Sequence, residues 1–95
     1  MSGFERGWTV FCTESVSDVL TSLPEPVHDE LVERLCALAE IGGGAIAVGL
    51  PPPGAPLDDV GVHYSYALHG LPAIAEYLVM ADIREFRIVS LTWAG

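Results

Sequence analysis

The chain has no lysine. Its basic side chains are four arginines, Arg6, Arg34, Arg84 and Arg87, set against thirteen carboxylates, and the formal charge is -9. Nucleic acid is held by clustered Lys and Arg that displace counterions from phosphates. Four scattered arginines build no such stripe, so the composition argues against a nucleic-acid partner and against an anionic membrane surface. It favours a basic partner, or a basic segment of one. Cysteine is scarce as well. Cys12 and Cys36 share no C-x-x-C spacing, which excludes the short metal and redox motifs. They read as two small buried hydrophobes in a reducing cytoplasm, with a disulfide between them left open. No metal and no cofactor is implied. The opening MSGFERGW lacks a basic stretch followed by an apolar one, so no signal peptide is expected. No apolar run reaches about 18 residues, so no spanning helix is expected either. Gly42-Gly43-Gly44 follows a helical pattern instead of opening one, and no G-K-[ST] or G-x-S-x-G occurs. A phosphate loop and a hydrolase nucleophile elbow are thereby excluded.

What is present is apolar surface. Hydrophobic residues make up 51% of the 95, enough for one core in one small domain spanning 1–95 and too many for a disordered chain. Trp8 to Cys12 (WTVFC) reads as a short strand. Thr13 is a plausible N-cap with Glu14 in the first turn, and Val16, Val19, Leu20 and Leu23 recur at helical spacing up to Pro24. Pro24 and Pro26 open a second, longer helix. Val27, Leu31, Leu35 and Leu38 form its apolar stripe, with Asp29, Glu30, Glu33, Arg34 and Glu40 opposite. The glycine triplet is expected to end it, with Ala45 to Leu50 briefly extended and Pro51-Pro52-Pro53 and Pro56 making a stiff connection. From Val62 the pattern turns to strands: Val62 to His69, Ala75 to Ala81 and Phe86 to Trp93, joined by short turns as an antiparallel meander. The layout is α+β: an N-terminal strand and a two-helix pair packed on one face of a curved, mainly antiparallel sheet.

Two stretches carry a family likeness. WTVFCTESVSDVLTSLPEPVHDELVERLCALAE resembles the opening of the RelE/ParE toxin superfamily: a strand, a short helix ending in Leu-Pro, then a long amphipathic helix. AEYLVMADIREFRIVSLTWAG resembles its closing hairpin. The resemblance spans nearly the whole chain. It implies a compact toxin-like domain of the type II toxin–antitoxin kind, made beside a small antitoxin that wraps it. Ribosome-dependent mRNA cleavage and gyrase inhibition are the activities it brings with it. Nuclease members carry several basic residues on the middle strands and more after the last strand. Here the middle strands offer His63 and His69 but no Lys or Arg, and a basic or aromatic extension beyond Trp93 is expected to be missing. The expectation is a cytoplasmic toxin-like domain that works through protein binding, with an antitoxin-like partner or with a second copy as a homodimer, and with RNA cleavage weak or lost. A divergent ribonuclease using His and Arg, and a small-molecule-binding or biosynthetic protein on the same fold, are the alternatives.

For chemistry the candidates are His63, His69, Arg84 and Arg87. An imidazole can move protons near neutral pH, and a guanidinium can grip an anion bidentately. His63 and His69 fall on one strand face, yet six residues at about 3.3 Å each put them roughly 20 Å apart. They cannot share one metal or one scissile bond. Glu76 could meet His63 or His69 across the hairpin, depending on the strand register. The arginines are expected to pair with nearby carboxylates such as Asp82 and Glu85. Tyr64 and Tyr66, with Val62 and Leu68, are expected under the helices with their hydroxyls at the rim. The strand Ala75 to Ile83 is apolar on both sides, with Tyr77 and Val79 on one and Leu78 and Met80 on the other. The last strand is read with Val89, Leu91 and Trp93 on one side and Phe86 and Ile88 on the other. Two helices cover only one face, so the second is expected to keep an apolar stripe with a polar rim, a surface for a partner or ligand. Tyr64, Tyr66, Glu76, Leu78, Met80 and Trp93 are the candidate binding residues.

Overall fold

Alternation and helical spacing dictate most of what forms. The computed structural model describes residues 7–95; Arg6 and most of the opening MSGFERGW lie outside them. The elements run β1 (Thr9–Cys12), α1 (Glu14–Thr21), α2 (Glu25–Ala47), β2 (Ala55–Pro56), β3 (His63–Ala67), β4 (Ala73–Met80) and β5 (Glu85–Trp93). They build a two-helix layer on a five-stranded sheet of order β1-β5-β4-β3-β2. The three C-terminal strands form the expected antiparallel meander, and β1 returns parallel to β5. The sheet is therefore mixed, and the α+β class read from the sequence holds.

Thr13 caps α1 by position, but its hydroxyl meets Ser15 Oγ at 3.3 Å instead of a backbone N–H. The break at Pro24 is bridged by His28 Nδ1, which donates to the Leu20 carbonyl at 2.9 Å and ties α2 to α1. Val16, Leu20, Leu31, Leu35 and Leu38 descend from the helices onto Tyr64, Ala75, Tyr77, Phe86 and Ile88, and these form one core. Tyr77 sits at its centre, stacked on Tyr64 at 5.5 Å and edge-on to Phe86 at 5.5 Å. Burying an aromatic ring of this kind contributes about 1.5–3 kcal/mol, against about 1 kcal/mol net for a typical hydrogen bond.

Four expectations are corrected. First, the glycine triplet does not end α2; the helix runs through it to Ala47, so Ala45–Ala47 are helical and not extended. A Cβ at Gly42 would come within 2.6 Å of Phe86 Cζ, and one at Gly43 within 2.5 Å of Trp8 Cδ1. The glycines let the helix lie against two aromatic rings, and that packing outweighs their poor helix propensity of about 1 kcal/mol each. Second, β5 does not keep strict alternation. Its pairing with β4 slips between Glu76 and Tyr77, so that Ser90 faces Glu76 while Ile88 faces Tyr77. Val89 is the extra residue of this bulge, and it flips the parity. Leu91 and Trp93 thus return to the helix side with Phe86 and Ile88. Third, the proline-rich connection contributes a two-residue strand, β2, and Pro53 is anchored there by the Tyr77 hydroxyl, which donates to its carbonyl. Fourth, the cysteines are not both buried: both are free, Cys12 is half-buried against the core and Cys36 is exposed on α2.

Candidate functional site

The helices cover one face of the sheet, and among the described residues the other is open. The strand register fixes what the open face carries. Across its middle, Phe11 on β1, Arg87 on β5, Leu78 on β4 and His63 on β3 form one row, because Phe11 pairs with Arg87, Arg87 with Leu78, and Leu78 with His63. The next row holds Ser90, Glu76 and Ser65, and on the other side Thr9, Glu85 and Met80 align. Phe11, Ile74, Leu78, Met80 and Val89 give this face its apolar content, as the leftover stripe predicts. Charged groups interleave with them instead of forming only a rim.

Both candidates for chemistry on this face are met by carboxylates. His63 Nε2 lies 3.2 Å from Glu76 Oε1, a diagonal contact across the β3–β4 pairing, with the two side chains about a third exposed and somewhat more. Arg87 Nε donates to Glu85 Oε2 at 2.8 Å, a contact made along one strand because residues two apart share a face. The same guanidinium sits over the Phe11 ring at 5.2 Å from its centroid. A cation flanked by a carboxylate and an aromatic face is held in place and largely neutralised. Two strand spacings, about 10 Å, separate the backbones of His63 and Arg87 with Leu78 between them.

The remaining candidates are dispersed. His69 lies past the end of β3, in the turn to β4, where its carbonyl accepts from Arg34 Nε at 3.1 Å. Arg84 is at the opposite end of the sheet, in the β4–β5 turn, with a left-handed backbone (φ 52°), beside Trp8, Glu40 and Gly44. Tyr64 is buried in the core, and Tyr66 and Trp93 pack against it from the helix side. Of the four residues put forward for chemistry, then, only His63 and Arg87 share a row. Of the six put forward for binding, Glu76, Leu78 and Met80 are on the open face. Phe11 was not among the candidates; the parallel β1–β5 pairing that brings it to Arg87 joins residues more than seventy positions apart, and no local pattern announces it.

Burial pushes the Tyr77 hydroxyl well above its ordinary range, and the neighbouring Tyr64 and Tyr66 phenols add to this. Burial, and then Cys36, raise the Cys12 thiol. Neither is poised to act as a nucleophile or base near neutral pH. Among the described residues, no group of three His, Cys, Asp or Glu is placed to hold a metal ion, and no helix is long and apolar enough to cross a membrane.

No family model matches the sequence, and no curated protein does. The solved structure of a double arginine-to-alanine mutant of the E. coli toxin RelE in its free state is similar in fold. It has 16% sequence identity and a TM-score of 0.64, covering 94% of this chain and 85% of that one. The likeness spans both helices and the sheet, and the chain has a RelE-like fold.

Proposed function

We propose that this chain is a toxin-like domain of the type II toxin–antitoxin kind that works by binding protein and cleaves RNA weakly or not at all. One observation carries the reading: among the described residues the open face offers one guanidinium and one imidazole, and each is matched by its own carboxylate, Arg87 by Glu85 and His63 by Glu76. A phosphodiester brought to that face meets two carboxylates for one permanent cation. A nucleic-acid surface needs the opposite balance. The net charge of -9 extends the argument to the whole molecule. The RelE-like fold supports the toxin–antitoxin setting, and the acidic surface favours a basic partner.

A second reading has an observation of its own. His63 and Arg87 lie in one row with Glu76 placed to orient the imidazole, an arrangement from which a proton-transfer group and an anion contact could serve one substrate. One experiment separates the two. The chain is induced in a bacterial host with and without the product of the adjacent reading frame, and growth, mRNA integrity on translating ribosomes and complex formation are followed. The expected result is intact mRNA and a stable complex with the neighbouring product. Cleaved mRNA that becomes intact in His63→Ala or Arg87→Ala favours the second reading. A strict monomer that binds nothing from its neighbour sinks the first.

A further inference from the structure

The two ends of the sheet are finished differently. The β2 edge is two residues long and contains Pro56, the usual way of blunting an edge against another strand. The β1 edge has no such guard: Thr9–Cys12 holds no proline and no lysine. The Thr9 amide donates to Arg84 O at 3.0 Å and the Thr13 amide to Ile88 O at 3.1 Å, so the odd-numbered amides face β5. By the alternation of a strand, the backbone groups of Val10 and Cys12 point to the free side.

Beside this edge runs a groove formed with α2. Two adjoining hollows of about 560 and 540 Å³ share Trp8, Ala39 and Glu40. Val10 and Cys36 line one, and Gly43, Gly44 and Arg84 the other. Trp8 is a fixed wall, packed on Phe86 with ring centroids 4.7 Å apart and backed by Gly43. Glu33 and Glu40 stand on α2 along the same groove. Gly43, which lets α2 approach Trp8, and Gly44 beside it line the groove without side chains of their own.

We infer that the β1 edge and the α2 groove together bind an extended, basic peptide segment, which adds a strand beside Val10 and Cys12 and lays alternate side chains against Trp8 and the groove. This rests on the protein-binding reading above and gives it a surface and a partner chemistry. Strand addition supplies backbone affinity, and the pockets for alternate side chains supply specificity. Charge selects the occupant. A second copy would bring another chain of charge -9 against Glu33 and Glu40, whereas a Lys- or Arg-bearing strand complements them.

The test uses the full chain and a short peptide of alternating Lys and Val, with its Glu/Val counterpart as control. Affinity is followed by anisotropy of the labelled peptide, and the edge by amide hydrogen exchange. The expected result is binding by the Lys/Val peptide alone, weakening with salt, with new protection at the Val10 and Cys12 amides. The double variant Glu33→Lys/Glu40→Lys, on an exposed helix surface, binds on the order of tenfold more weakly and loses most of the salt dependence. Val10→Pro removes an outward amide while leaving the β5 pairing intact, and abolishes the protection. Binding without protection at Val10 and Cys12, equal binding of the acidic peptide, or no binding at all overturns the inference. So does protection that appears with rising protein concentration and no peptide, which makes the occupant a second copy. None of these outcomes touches the mRNA result on which the functional reading is separately judged.

Discussion

Tyr77 shows how one side chain serves both core and loop. Its ring is wholly buried between Tyr64 and Phe86, while its hydroxyl reaches the carbonyl of Pro53 and pins the proline-rich connection to the sheet. Tyr77→Phe keeps the ring and loses the bond, which is expected to cost about 0.5–1.5 kcal/mol in urea unfolding at neutral pH. The hydroxyl also gives a pH signature. Its folded pKa is raised, so above about pH 10 the unfolded chain releases this proton while the folded chain retains it. Stability is unaffected by this group below that pH and falls above it, by at most about 1.4 kcal/mol per unit. The slope from this group disappears in Tyr77→Phe. An unchanged alkaline slope in the variant means that Tyr77 ionises as easily in the folded chain as in the unfolded one.

At the scale of elements, the glycine triplet decides how α2 meets the sheet, and its three positions are not equivalent. Gly42→Ala would drive a methyl into the fully buried Phe86 ring, where the neighbours cannot yield cheaply. Overpacking of this kind costs about 1–3 kcal/mol, more than the helix propensity gained. A Cβ at Gly44 meets nothing within 4 Å. Gly44→Ala is therefore expected to stabilise by about 0.5–1 kcal/mol. Opposite signs in parallel denaturation curves test the packing, since propensity alone gives both variants the same sign. The same residues mark the limit of what the sequence discloses. The stripes of α1 and α2, the order of elements and the meander are legible because each depends on neighbours a few positions apart. The run of α2 through Gly42–Gly44 is not, because Phe86 and Trp8 act on it from distant parts of the chain. Nor is the bulge at Val89, which returns Leu91 and Trp93 to the helix side against strict alternation. For the open face, the pairing of Arg87 with Glu85 and of His63 with Glu76 follows from local spacing plus one hairpin. The placing of Phe11 beside them needs the long-range β1–β5 contact.

For the whole molecule, charge is the dominant variable. The sequence sets thirteen carboxylates against four arginines, and all but Glu5 and Arg6 lie among the described residues, in a body of 40 × 35 × 24 Å. Along α2, Glu25, Asp29 and Glu33 follow one another at spacings of four, which places like charges side by side. Such pairs cost a few tenths of a kcal/mol each. Against this stand, among the described residues, pairs such as Arg34–Glu30 at 3.4 Å and Arg87–Glu85 at 2.8 Å. Exposed pairs contribute about 0–1 kcal/mol and are themselves screened by salt. The two effects respond to salt with opposite signs. At about 0.01 M the screening length of roughly 30 Å reaches across most of the molecule, so each carboxylate feels nearly all the others; at about 0.15 M it shrinks to about 8 Å and only close neighbours count. With thirteen carboxylates against four arginines, repulsion involves many pairs at long range and attraction acts between close neighbours, so screening removes more repulsion than attraction. The melting temperature is expected to rise between these two salt concentrations, with sodium chloride and potassium chloride giving the same increase. A falling melting temperature assigns the larger role to the close attractive pairs. A rise with only one of the two salts points to specific ion binding in place of general screening.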